Sequence, residues 1–329
     1  MCYGKKNNDC KRIQHRTRRG NHEKFFGFAS MIFYIASMIG GCSKIKQPGD
    51  ASSNQITSPI SIVTTAFPAY DFAKAVVGNK ANLTMLVNPG SEIHTFKPSS
   101  ADLAAIQKAN MFIYLGSDDE EWVLPMLGSI DPNEMKIIRL LDYAKPVQDE
   151  VENRTWTFPA NVVKIIDDIA KKLCELDPAG SKEYTYNAST YITQIQKTEK
   201  RIHKVISESA NQMMVIGDYF PLRYFVDEFG VHYRKADCDK QPNAVKSIET
   251  SEPPVTLLDT IQHNDIRYVF YVELANQKIF HTIQGQSEAE LIKLYSCHNY
   301  TREDFVKGIT YLSLLKENAD LLEKKIKKM

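Results

Sequence analysis

Several things are scarce or missing in this 329-residue chain, and each absence narrows what it can be. Six cysteines occur, of which only Cys174, Cys238 and Cys297 lie beyond residue 42. Three allow at most one pair, so a disulfide framework is excluded as the source of stability. The formal net charge is +1, and the excess is confined to the start: eight Lys/Arg stand against two acids in residues 1–41, then 33 against 38 afterwards. A mildly acidic body has no electrostatic footprint for nucleic acid. No low-complexity repeat is present. No H-E-x-x-H helix occurs, which removes the usual zinc-hydrolase pattern. The longest apolar run, within "FFGFASMIFYIASMIGGC", is about 17 residues and short for a membrane span.

That run follows a basic stretch and closes on small residues, the pattern of a secretory signal. Its last residues, "IGGC", resemble the lipobox of bacterial lipoproteins. Residues 1–41 are therefore expected to be a lipoprotein signal peptide, with Cys42 lipidated and residues 42–57, "CSKIKQPGDASSNQIT", a flexible tether. An uncleaved anchor helix with an incidental cysteine is the alternative.

Beyond the tether, strand-like and helix-like segments alternate. "SIVTTAF", "ANLTML", "MFIYLG" and "MKIIRLL" read as strands. "MFIYLG" is apolar throughout, as a buried parallel strand should be. "SSADLAAIQ" carries the serine and acid of a capped helix start, and Cys174 falls on the apolar side of the helical run 160–176. Residues from about 180 to 209 form one long helical stretch, about 42 Å if continuous. Alternation resumes at "QMMVIGD" and runs through "IRYVFYVEL" and "AELIKLYSC" to terminal helices. The expected fold is α/β: two Rossmann-like lobes, residues 58–178 and 211–329, joined by a long backbone helix over 179–210. A ligand cleft is expected between them, lined by loops at the strand ends.

Four polar residues share that address. His94 follows the second strand, Asp218 ends "MMVIGD", Glu273 ends "YVFYVE", and His298 ends "LIKLYSCH". Imidazole and carboxylate donors converging from separate loops suit Zn²⁺ and also Mn²⁺. Each has an ordinary reading as well: a solvated loop histidine, a helix cap for Asp218, an ion-pair partner for Glu273, a turn residue for His298. His203, His232, His263 and His281 read as surface groups on helical faces or in polar turns.

The stretch "TAFPAYDF…NPGSEIHTFKPSSADL" resembles the metal-binding solute receptors of bacterial zinc and manganese ABC transporters. The segments "GDYFPLRYFVDEFG", "YVFYVELANQKI" and "YSCHNYTREDF" resemble their second lobe. The resemblance runs from about residue 60 to the end. It implies a lipid-anchored, extracytoplasmic, monomeric receptor that delivers a divalent cation to a membrane permease, with no catalysis. It also implies His94, Asp218, His298 and, ranked below them, Glu273 as metal residues. One position departs from the pattern. Relatives carry a ligand histidine before a W-x-x-P segment, usually after a His-rich loop; here "NRTWTFP" places Arg154 there and the loop is missing. A guanidinium stays charged and repels a cation. Either it turns outward, or the ligand set has changed, or the cleft holds an anionic small molecule or serves adhesion. Cys238 and Cys297, on loops of the second lobe, are candidates for a disulfide fixing the His298 loop. Two thiols, or Cys297 as a thiolate ligand, are the alternatives.

Overall fold

The computed structural model describes residues 59–325 apart from 92, 129, 132, 145–153, 209–212, 217–221, 231, 236–254, 264–265 and 273–276. Asp218, Cys238 and Glu273 lie outside the described residues, as do the leader, Cys42 and the tether.

The first half runs β1 (Ile60–Thr64), α1 (Phe67–Val77), β2 (Ala81–Met85), α2 (Ser100–Gln107), β3 (Met111–Tyr114), α3 (Val123–Leu127) and β4 (Lys136–Arg139). The four strands form one parallel sheet in the order β2-β1-β3-β4. Side chains alternate strictly across it, as a strand period of two requires. Met111 and Ile113 enter the main core, while Phe112 and Tyr114 enter a smaller cluster on the opposite face. A sheet buried on both faces needs apolar residues at every position, which is why "MFIY" has no polar interruption.

Two helices follow, α4 (Pro159–Leu176) and α5 (Ser181–Ser207). Helix α4 buries Val162, Ile165, Ile166, Ile169 and Leu173, a stripe at helical spacing. At 27 residues, α5 is about 40 Å long, as expected for the joining helix. The second half contains β5 (Met213–Ile216), α6 (Arg223–Phe229), β6 (His232–Lys235), α7 (Val255–His263), β7 (Tyr268–Val272), α8 (Gln277–Gln286), β8 (Glu290–Leu294), α9 (Arg302–Val306) and α10 (Tyr311–Lys325). Its parallel sheet has the order β6-β5-β7-β8, the strand order of the first half repeated. Strand β6, "HYRK", is a correction: no strand was expected there, and His232 belongs to it rather than to a helix or turn. Among the described residues it pairs with β5 alone, and an edge strand tolerates charge that a central one would not.

One connected apolar cluster runs from β1 and α1 through α4 and α5 to Phe270, Ile292, Leu294 and α10. The sheets are thus joined by core as well as by chain. A buried carboxylate reinforces the junction. Asp71 of α1 accepts from the Tyr191 hydroxyl of α5 (2.7 Å) and from the backbone N–H of Tyr311 in α10 (3.0 Å). Burial pushes its pKa up to about 6, with those two bonds opposing the shift. Arg201 of α5 also forks onto Glu323 of α10. Among the described residues no helix is long and apolar enough to cross a membrane.

Candidate metal centre

His94 is presented by turn chemistry local to its own loop. After β2, Leu86 N–H donates to Thr64 O and Val87 N–H to Thr65 O, carrying the chain past the end of β1. Pro89 and Gly90 then reverse it, with Gly90 at φ +81°, a region that favours glycine. A single 3-10 turn, Ile93–Thr95, follows. Ile93 is buried and Phe96 packs against Trp122 at 5.9 Å between rings. His94, between these two anchors, is exposed. Ser99 closes the loop as the cap of α2, its hydroxyl accepting from Asp102 N–H while Asp102 accepts from Ser99 N–H.

His298 is held from outside its loop. The side-chain amide of Asn318 in α10 accepts from Tyr295 N–H and donates to Tyr295 O, both at 2.8 Å. Cys297 is buried and is the one described non-glycine residue at positive φ, +56°. Such a conformation persists only where the surroundings over-determine it. The His298 ring lies nearly parallel to Trp156, centroids 5.5 Å apart and planes at 15°. Trp156 is almost fully buried, and its backbone carbonyl accepts from the Tyr311 hydroxyl.

Asn299 then brings the two loops together. Its side chain donates to Ser91 O at 2.8 Å and accepts from Gly90 N–H at 3.3 Å and Tyr300 N–H at 2.8 Å. Tyr300 sets its ring edge-on to Phe67 at 4.0 Å. A space of about 10 Å³ remains between the loops, bordered by Phe67, Val87, Ser91, His298 and Tyr300, roughly the size of one water.

Electrostatics places three sequence-selected residues in one neighbourhood. Burial holds the His298 imidazole well below its ordinary value, and the charges of Arg154 and His94 push it further down. His298 is therefore neutral at pH 7, the form in which imidazole ligates a metal. Arg154, half-buried, sits just before a 3-10 turn over Thr155–Thr157, its carbonyl accepting from the Thr157 backbone and hydroxyl. Its guanidinium acts on His298 rather than lying beyond reach of it. Cys174 is half-buried at the end of α4, its sulfur 3.8 Å from Ser181 O. The expected surface position of His203, His263 and His281 matches their exposure. Sequence reasoning missed Asn299 and Asn318. The run "SCHN" put Asn299 beside His298, but nothing local signals that it reaches the other half of the chain.

Residues 62–325 match the family ZnuA, "Zinc-uptake complex component A periplasmic". The chain belongs to this family. It is 25% identical over 293 residues to the zinc-binding lipoprotein AdcA of Streptococcus pneumoniae strain R6, covering 83% of this chain and 57% of that protein. The chain thus spans little more than half the length of that relative. It is 23% identical over 317 residues to the high-affinity zinc uptake system protein ZnuA of Bacillus subtilis strain 168, covering 89% and 96%. The crystal structure of the Zn(II)-bound ZnuA-like domain of S. pneumoniae AdcA superposes with a TM-score of 0.69 at 24% identity, over 82% of this chain and all of that one. The two-lobe α/β fold of this ZnuA family member is thereby shown.

Proposed function

We propose that this ZnuA-family chain is an extracytoplasmic, lipid-anchored receptor that binds a divalent cation, Zn²⁺ ahead of Mn²⁺, and delivers it to the permease of an ABC transporter. The observation that carries the reading is the meeting of the His94 and His298 loops across Asn299, with His298 neutral. The cation is cargo, held by His94 and His298 with Asp218 and, ranked below it, Glu273. Asp218 and Glu273 follow β5 and β7 in sequence by two residues and one. Those neighbouring strands are where the sheet order reverses, the usual place for a ligand. Two imidazoles with carboxylate oxygen suit Zn²⁺. The names of the relatives agree with this cargo. Cys42 is the lipid site, residues 42–57 the tether, 58–178 and 211–329 the lobes of a monomer, and 179–210 the joining helix. No hydrolytic role is proposed, since the relatives are named for zinc binding and zinc uptake. Cys297 is a buried thiol that donates to Tyr295 O at 3.8 Å, which does not support the disulfide with Cys238 expected from the sequence.

One observation favours a second reading. The Arg154 charge reaches His298, and a guanidinium beside a cleft pairs readily with carboxylate or phosphate. On that reading the cleft has exchanged cation for a small anion. Zinc titration of the purified protein separates the two. The receptor reading expects one cleft-bound ion, lost in His94→Ala and in His298→Ala, and bound more tightly in Arg154→His. If the cleft binds no metal in the wild type and Arg154→His creates binding there, the anion reading replaces it.

A further inference from the structure

A second set of donors gathers where α5 meets α6. Glu199 and His203 lie four residues apart on α5 and so share a face, and Glu228 of α6 reaches the same point. One ligand-type atom from each lies within 4.8 Å of the other two. His203 Nε2 is 3.3 Å from Glu228 Oε1. The His203 ring stands edge-on to Phe229 at 4.6 Å, and Phe229 packs on Phe225 at the same separation. Apolar contacts on one side therefore brace the imidazole, while its other side stays accessible, with 45% of the side chain exposed.

The charges are arranged at a cost. Glu199 is half-buried, and burial together with the like charge of Glu228 raises its affinity for a proton, with His203 and Lys200 opposing. Two carboxylates brought together around one imidazole repel each other until positive charge enters between them. A divalent ion supplies more than a proton can, and reverses the local balance.

We propose that Glu199, His203 and Glu228 form an auxiliary divalent-cation site that ties the long helix α5 to α6 of the second sheet. One nitrogen and two oxygen donors suit Zn²⁺ or Mn²⁺ and leave positions for water. The exposed edge of His203 gives a hydrated ion its way in. The ion would bridge two helices, so its loss loosens the hold of α6 on α5. This site shares no residue with the cleft set and stands whether or not the receptor reading does.

Equilibrium dialysis of the purified protein against Zn²⁺, with bound metal counted by atomic emission, is the test. A Co²⁺ titration read by visible absorption accompanies it. His203→Ala and Glu228→Gln are each expected to bind one ion fewer than the wild type and to lose one Co²⁺ spectral component. The same one-ion loss is expected when either is placed on His298→Ala. If the cleft binds nothing, the wild type still holds one ion that His203→Ala removes, so the two failures are distinguishable. Unchanged apo-protein melting shows that the variants fold. Wild-type stoichiometry and spectrum in both variants would overturn the proposal and leave an ordinary His–Glu ion pair.

Discussion

The two loops that meet across Asn299 are built in opposite ways. The His94 loop is fixed by neighbours in sequence: a Pro-Gly reversal, one 3-10 turn, two apolar anchors and the Ser99–Asp102 cap. It leaves its histidine exposed. The His298 loop is fixed from elsewhere: by Asn318 of α10, by Trp156, and by the chain at Gly90–Ser91 some 208 positions away. It holds a residue at positive φ and keeps its histidine half-buried. One donor is thus presented to an incoming ion and the other waits, already neutral, in a fixed pocket. Preorganisation on one side lowers the ordering cost of capture.

The largest expected effect removes what holds the second loop. Asn318→Ala removes both side-chain bonds to the Tyr295 backbone and empties a buried position on α10. Losing these bonds and the buried amide costs about 3 kcal/mol of unfolding free energy, read by urea denaturation. Zinc affinity should fall with it. If affinity holds while stability drops, the His298 loop does not need its outside support, and the contrast between the loops is broken.

Next comes the junction behind both loops. Asp71 has a folded pKa of about 6 against about 3.9 for an unfolded aspartate. Below the unfolded value the carboxyl is protonated in both states. As pH rises from about 4 to 6 the unfolded chain ionises first, so stability falls through that window and stays reduced above it. A two-unit shift corresponds to about 3 kcal/mol. Asp71→Asn keeps an oxygen acceptor for Tyr191 and Tyr311. It should therefore remove that pH dependence and stabilise the protein at pH 7.5 by roughly 2 kcal/mol, an estimate drawn from the same linkage. A melting curve with the wild-type dependence between pH 4 and 6 would assign the titration to another group.

The same contrast explains what the sequence could reveal. The two sheets, α4 and α5 were legible because periodic burial is written residue by residue, as in "MFIY" and the stripe from Val162 to Leu173. His94 was legible because its loop carries local turn residues. His298 was legible as a strand-end residue, but its environment was not. Neutrality there depends on burial and on Arg154 and His94, which lie far away in sequence. Asn299 and Asn318 look like any loop or helix asparagine, since a hydrogen bond across 208 positions leaves no local mark. Strand β6 was lost because four polar-rich residues at a sheet edge carry no apolar pattern.

A smaller effect tests the point where the loops touch. Gly90 sits at φ +81°, and an added Cβ would meet only ordinary contacts, with Arg302 N at 3.9 Å and Tyr300 O at 4.0 Å. The penalty in Gly90→Ala is therefore conformational, about 1–2 kcal/mol. Because Gly90 N–H is bonded to Asn299, relaxation of that turn should also weaken zinc binding. Ser99→Ala gives the matching control at the other end of the same loop. It removes the hydroxyl that caps α2, expected to cost about 1 kcal/mol, and the bonds of Ser99 among the described residues are to Asp102 and Leu103 of its own helix. Equal stability loss with unequal zinc affinity is the expected pair of results from calorimetry on both variants. If Ser99→Ala weakens zinc as much as Gly90→Ala does, His94 is positioned by the rigidity of its own loop. Asn299 is then a fastener between the lobes and no part of how the cation is held.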